Sequence, residues 1–201
     1  GGVDSSVAAA LLVEQGYAVR GIMLKLWDGN PNLHEGKKRF EDSLDQAQGV
    51  AQQLGIPFEV IDVSGVFKQK IVGYFIQSHQ SGKTPNPCFV CNRQIKWGLL
   101  MDEAQQQGAE YLATGHYARV VNTGSGKYEL RKSLDQKKDQ SYVLAGLTQK
   151  QLSRAILPLG TKTKNETREI AHSYNFDNYD RQDSQDLCFL GTLDQEAFLA
   201  L

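Results

Sequence analysis

Apolar residues along this chain recur at two spacings, and the alternation between them predicts its layout. Val7, Leu11 and Leu12 share one face of a helix that follows Gly1-Gly2-Val3-Asp4-Ser5-Ser6 and ends at Gly16. The β-rich run Ala18 to Leu26 comes next. Glu41 to Leu54 repeats the helical period and closes on Gly55, and Phe58 to Asp62, after Pro57, reads as a strand. From Val66 onward, Phe67, Ile71, Val72, Phe75 and Ile76 form a core-facing stripe that stops before Gly82. A further helical run, with Ile95 and Leu99 four apart, precedes the strand Tyr111 to Thr114. Helices alternating with short strands behind a glycine-rich turn predict an α/β protein with a parallel sheet.

After Tyr117 the pattern changes. Ala118 to Val121 and Tyr128 to Leu130 flank a Gly/Ser/Asn turn and predict a β-hairpin, and Lys132 to Gln140 is a charged loop. Gln149 to Ile156 and Lys164 to Tyr174 read as helices on either side of Leu157-Pro158-Leu159-Gly160. This divides the chain into an α/β domain over 1–145 and the start of a small helical second domain over 146–201. The segment between Trp27 and Arg39, rich in Asn, Gly, Pro and charge, is long enough to serve as a lid. The glycine pair has no strand before it, and a helical pattern that begins at Leu193 runs to the last residue, so a fragment of a longer protein is expected.

Composition narrows the setting. A chain of 201 residues can bury a sizeable core. The formal net charge of −1 gives no bulk attraction to nucleic acid or membrane, so a polyanion would have to meet a local patch. Three cysteines form no even disulfide framework, and no apolar run approaches 18 residues; no membrane association and a reducing, cytoplasmic compartment are expected.

The candidate chemistry lies in the turns. Gly1, Gly2, Val3, Asp4, Ser5 and Ser6 make a phosphate cradle: glycines allow close backbone approach, the helix N-terminus is positive, and the serines can donate. No lysine follows, so this is not a Walker loop. Asp4 beside phosphates calls for a cation such as Mg²⁺ between them; the alternative is a glycine turn with an N-cap. In Thr84-Pro85-Asn86-Pro87-Cys88-Phe89-Val90-Cys91-Asn92 the two prolines hold the backbone extended. A helix is therefore expected to begin near Cys91, lowering that thiol by roughly one unit or more from about 8.5. The same Cys-x-x-Cys pair also fits half of a zinc knuckle. His116 follows a strand, where open α/β sheets bind ligands, but it fits a structural histidine too. Lys137-Lys138-Asp139-Gln140 is either solvated surface or a phosphate contact. Cys188 closes a polar loop just before Phe189.

Taken in order, these motifs resemble a known family. Gly1 to Ser6 is similar to the pyrophosphate loop of the PP-loop ATPases, and Thr84-Pro85-Asn86-Pro87 with Cys91-Asn92 resembles the tRNA-specific 2-thiouridylases. Ala113-Thr114-Gly115-His116-Tyr117, Lys138-Asp139-Gln140-Ser141-Tyr142 and Asp183-Ser184 before Cys188-Phe189 match in the same order. The resemblance implies a Rossmann-like, PP-loop parallel sheet with a small helical domain, followed in the family by β domains that this chain lacks. It implies ATP and Mg²⁺ as cofactors, tRNA as partner, and a sulfur-donor protein such as a cysteine desulfurase or sulfur relay. The implied reaction adenylates the C2 oxygen of the wobble uridine and replaces it with sulfur. Carried onto this sequence, Cys188 holds the sulfur as a persulfide and Cys91 attacks it. Leu24 and Gly115 join Gly1 to Ser6 around the nucleotide. Asn86, Pro87 and Cys88 meet the target base, and His116, Lys138, Asp139 and Gln140 meet tRNA.

Cys88 stands where many members of the family have aspartate, which leaves a second route open: a [4Fe–4S] cluster on Cys88, Cys91 and Cys188. Two other classes also fit part of the sequence. Another PP-loop pyrophosphatase or ligase accounts for the glycine loop alone, and a non-catalytic metal-binding module accounts for the cysteines alone.

Overall fold

The computed structural model of the chain describes residues 2–27, 35–180, 187–191 and 193–200, with only the backbone given for 35–39. Helix α1 (Val3–Glu14) leads into strand β1 (Gly21–Lys25), and α2 (Glu35–Leu54) into β2 (Phe58–Asp62). β1 and β2 pair in parallel from Gly21↔Phe58 to Lys25↔Asp62. The strand over 58–62 and the helix ends before Gly16 and Gly55 fall where the pattern puts them, and both glycines adopt the positive φ that ends a helix without a Cβ clash. α2 begins earlier than the pattern suggests, at Glu35. The 28–34 portion of the supposed lid lies outside the described residues.

Two long helices follow, each with a π-type stretch. Ser64–Phe67 (α3), Lys68–Val72 in π form and Gly73–Gln80 (α4) run on without a break. So do Pro87–Cys91 (α5), Asn92–Leu100 in π form and Met101–Gln106 (α6). β3 (Leu112–Ala113) then enters, and β4 (Ala118–Asn122) and β5 (Tyr128–Lys132) make the expected antiparallel hairpin. Short helices α7 (Ser141–Leu144) and α8 (Gln149–Leu152) lead to β6 (Ala155–Ile156), then to α9 (Lys164–Ser173) and α10 (Gln195–Leu199).

β6 corrects the helix expected over 149–156. The chain turns at Ser153 and Arg154, and Ala155 and Ile156 lie parallel to β3, which gives the Leu112 and Thr114 amides their carbonyl partners at 2.9 and 3.2 Å. Periodicity cannot separate a short apolar run at the end of a helix from a strand. Residues past 146 therefore return to the sheet through β6 and to α1 through α9. Among the described residues no ladder joins the β1–β2 pair to the β3–β6 pair, and no helix is long and apolar enough to cross a membrane.

Three apolar clusters hold these parts. The first joins Phe67, Ile71, Val72 and Phe75 to Cys91, Ile95, Phe189 and Leu190. A second packs Val3, Val7 and Ala10 of α1 against Tyr117, Leu159, Ala171 and Phe176. The third sets Trp97, Leu100 and Met101 against Leu112, Ala118, Val143 and Leu144.

Candidate functional site

The glycine loop opens helix α1. Gly2 caps α1 in extended backbone with no side-chain cap, and the Ser5 and Ser6 hydroxyls both donate to its carbonyl, at 2.9 and 3.1 Å. The Ser6 amide makes the first intrahelical bond, to the Gly2 carbonyl at 3.2 Å, no side chain caps the amides before it, and a Cβ on Gly2 would meet nothing within 4 Å. These residues fit a polyphosphate. Gly1 lies outside the described residues.

Asp4 is not left bare. Its Oδ1 accepts from the Tyr117 hydroxyl at 2.9 Å and from Lys164 Nζ at 2.7 Å. Lys164 is a residue that the sequence did not single out. Gly115 packs flat on the same turn: a Cβ there would come within 2.7 Å of the Asp4 carbonyl carbon. Leu24, half-buried in β1, pairs with Ile61.

The thiol half is built by helix α5 and the segment around Phe189, and it corrects the expectation for Cys91. The helix begins at Pro87, four residues earlier than predicted. Proline is pre-organised for the first helical position, and Asn86 caps the turn by accepting the Phe89 amide at 3.0 Å. Cys88 therefore occupies the first turn and is exposed, while Cys91 lies a turn further on and is buried. Burial pushes Cys91 up to about 11, with Cys188 and Cys88 adding to the rise and Lys96 opposing it. Cys88 and Cys188 are also raised by the protein around them, although both reach solvent. The helix terminus does not activate Cys91, and all three thiols rest protonated at neutral pH.

Cys188 is carried to Cys91 by its neighbours. Phe189 is buried edge-on against Phe75 and Phe67, with centroids 5.3 and 6.1 Å away, in the cluster that includes Cys91. Lys96 is the cation common to this half: its field acts on Cys88, Cys91, Cys188 and His116. In an α-helix, five residues is an awkward spacing. Lys96, five residues after Cys91, lies in the π-type stretch Asn92–Leu100, whose turns are wider than those of an α-helix. Among the described residues no three Cys, His, Asp or Glu side chains converge as a metal site, so Cys88, Cys91 and Cys188 offer no ready ligand set for a [4Fe–4S] cluster.

Gly115, His116 and Tyr117 join the halves. Gly115 abuts the Asp4 backbone, the Tyr117 hydroxyl reaches the Asp4 carboxylate, and His116 shares the field of Lys96 with the thiols. His116 Nδ1 lies 2.7 Å from Thr114 Oγ1, and burial lowers the ring to about 3, so it is neutral. The next loop is held from inside. Gln140 exchanges two hydrogen bonds with the Tyr117 backbone, at 2.8 and 3.0 Å, and Asp139 accepts from the Ser133 amide and the Ser141 hydroxyl. Lys138 donates its amide to the Asp135 carbonyl at 3.1 Å. Asp183 and Ser184 lie outside the described residues.

A glycine cradle at the start of α1, set beside a strand end in a parallel α/β body, defines a HUP-type, PP-loop protein with a Rossmann-like fold. The solved structure of NMN synthetase from Francisella tularensis shares that fold, with a TM-score of 0.51 over 98% of this chain and 68% of its own at 18% identity. The chain belongs to the family whose model is described as tRNA methyl transferase HUP domain, which matches residues 1–192. Among its relatives are proteins named tRNA-specific 2-thiouridylase MnmA. Those from Carboxydothermus hydrogenoformans and Clostridium acetobutylicum are 45% and 44% identical over 99% of this chain and 56% of their own length. The one from Treponema denticola is 47% identical over 94% of this chain and 52% of its own. The chain thus spans about half the length of these relatives.

Proposed function

We propose that this chain is the ATP-binding and sulfur-transferring part of a cytoplasmic enzyme that 2-thiolates the wobble uridine of tRNA. The observation that carries the reading is that Cys91 is buried in the apolar cluster that takes in Phe189, while Cys188, exposed next to Phe189, is near enough for Cys91 to feel its charge and that of Lys96. The family model and the relatives carry different names, one for methyl transfer and one for thiolation. Two thiols brought together by packing are what sulfur transfer requires, and methyl transfer leaves them without a role.

The first-turn amides of α1 hold the polyphosphate of ATP, with the exposed Ser5 turning its hydroxyl to a phosphate oxygen and the buried Ser6 bracing the turn through Gly2 and Asn178; bound Mg²⁺ would supply charge to the pyrophosphate, and as the C2 oxygen of the uridine bonds to the α-phosphorus the pyrophosphate leaves. A donor protein, a cysteine desulfurase or a sulfur relay, loads Cys188 as a persulfide. The Cys91 thiolate then attacks Cys188 Sγ. A Cys91–Cys188 disulfide forms, the persulfide bond breaks, and hydrosulfide leaves to attack C2 and displace AMP. The disulfide is reduced by cellular thiols before the next turnover. Asn86, Pro87 and Cys88 flank the target base, and Lys138 of the 138–140 loop faces the tRNA, with Asp139 and Gln140 holding that loop and the buried His116 supporting it from within. Burial keeps Cys91 a thiol until substrate arrives, which protects it from stray oxidation.

Nucleoside analysis tests this. Full-length protein given tRNA, ATP, Mg²⁺ and a persulfide donor is expected to yield 2-thiouridine, and Cys188→Ser to yield none. No 2-thiouridine from the unaltered protein overturns the reading.

A further inference from the structure

Lys164 breaks two rules of sequence. It is the first residue of α9, where the positive end of the helix dipole disfavours a cation, and its side chain is only 8% exposed, although lysine is almost never buried unless paired. The helix does not need it, because Thr163 and Glu166 already form a complete capping box.

What Lys164 meets is the glycine loop. Nζ donates to Asp4 Oδ1 at 2.7 Å, and the same oxygen accepts the Tyr117 hydroxyl. That hydroxyl lies 2.9 Å from Oγ1 of Thr167, which is three residues after Lys164 on α9, and Nζ stands 5.9 Å from the Tyr117 ring centroid. The Asp4 side chain keeps 31% exposure, so the carboxylate lies between a buried ammonium and solvent. A negative charge in the first turn of α1 would repel a polyphosphate, and α9 supplies the charge that cancels it.

We propose that Lys164 is the fixed counter-charge of the phosphate loop, neutralising Asp4 so that the first turn of α1 can receive pyrophosphate. It is a positioning residue: it acts through Asp4 and does not touch the phosphate. A Walker loop carries its lysine within the loop; here the charge comes from a helix 160 residues away in sequence. This rests on the reading of Gly2 to Ser6 as an ATP site.

A charge-suppression test separates this role from mere packing. Pyrophosphate binding to the full-length protein is measured by calorimetry for the unaltered chain, Lys164→Met, Lys164→Arg, Asp4→Asn and the double variant Asp4→Asn/Lys164→Met. Lys164→Met is expected to weaken binding about tenfold or more, and Lys164→Arg to stay within about threefold of the unaltered chain. Removing Lys164 in the Asp4→Asn background, where no charge needs cancelling, is expected to change binding less than about threefold. Equal losses in both backgrounds, or no loss in either, overturn the proposal. If Lys164→Met does not fold, Lys164→Gln makes the same comparison. If the unaltered protein fails to bind pyrophosphate or ATP, the reading of the loop itself is overturned, a result distinct from the other two.

Discussion

The phosphate half of the site and the thiol half are held by different forces. Around Asp4 the contacts are polar and directional: an ammonium, a tyrosine hydroxyl and the flat face of Gly115 fix one turn of helix. Around Cys91 they are apolar: it is buried with Phe67, Phe75 and Phe189, and Phe189 anchors the exposed Cys188 next to that cluster. The first half is charge-balanced in advance; in the second, burial keeps Cys91 a thiol while Cys88 and Cys188 reach solvent. Under the proposed function, this arrangement binds nucleotide at once and withholds sulfur chemistry until substrate changes the surroundings of Cys91.

The sharpest way to break this contrast is Phe189→Ala. Removing a buried aromatic is expected to lower stability by about 3–5 kcal/mol in urea unfolding, and to make Cys91 and Cys188 easier to alkylate while ATP affinity stays within about twofold. Equal loss of nucleotide binding would show that the two halves are not held separately.

A smaller effect comes with pH. The unfolded Cys91 thiol ionises near its ordinary value of 9.0, whereas burial holds the folded thiol protonated to about 11. Its contribution to stability is therefore complete below pH 9 and is lost as pH rises toward 11, by about 2–3 kcal/mol. Subtracting the stability curve of Cys91→Ala from that of the unaltered protein isolates this term, and a flat difference between pH 8 and 11 would mean that Cys91 is not desolvated. Smaller again is Gly115→Ala. A methyl 2.7 Å from the Asp4 backbone forces the two segments apart, at about 1–3 kcal/mol. ATP binding should weaken while alkylation of the thiols is unchanged.

The contrast also explains what could be read in advance. The strand over Phe58–Asp62, the core stripe from Phe67 to Phe75 and the helix ends before Gly16 and Gly55 were legible because each depends on neighbours in sequence. The ordered motifs of the glycine loop and the cysteine turn were legible for the same reason. Two local judgements went the other way: Pro87 starts a helix where a delay was expected, and Ala155–Ile156 becomes a strand because β3 is there to pair with it. Lys164 left a trace, a cation on the wrong end of a well-capped helix, but its partner lies at the other end of the chain. Lys96 left none, because three of the groups its charge acts on, Cys88, Cys188 and His116, are brought near it by the fold and not by a motif.

Peptide mapping after a single turnover reads the pairing of Cys91 with Cys188. Full-length protein loaded with persulfide, given ATP and tRNA and quenched with an alkylating agent, should yield one new cross-linked peptide, joining Cys91 to Cys188, with Cys88 alkylated. A disulfide from Cys88 to either of the others, or turnover that leaves all three thiols alkylated, would contradict the account.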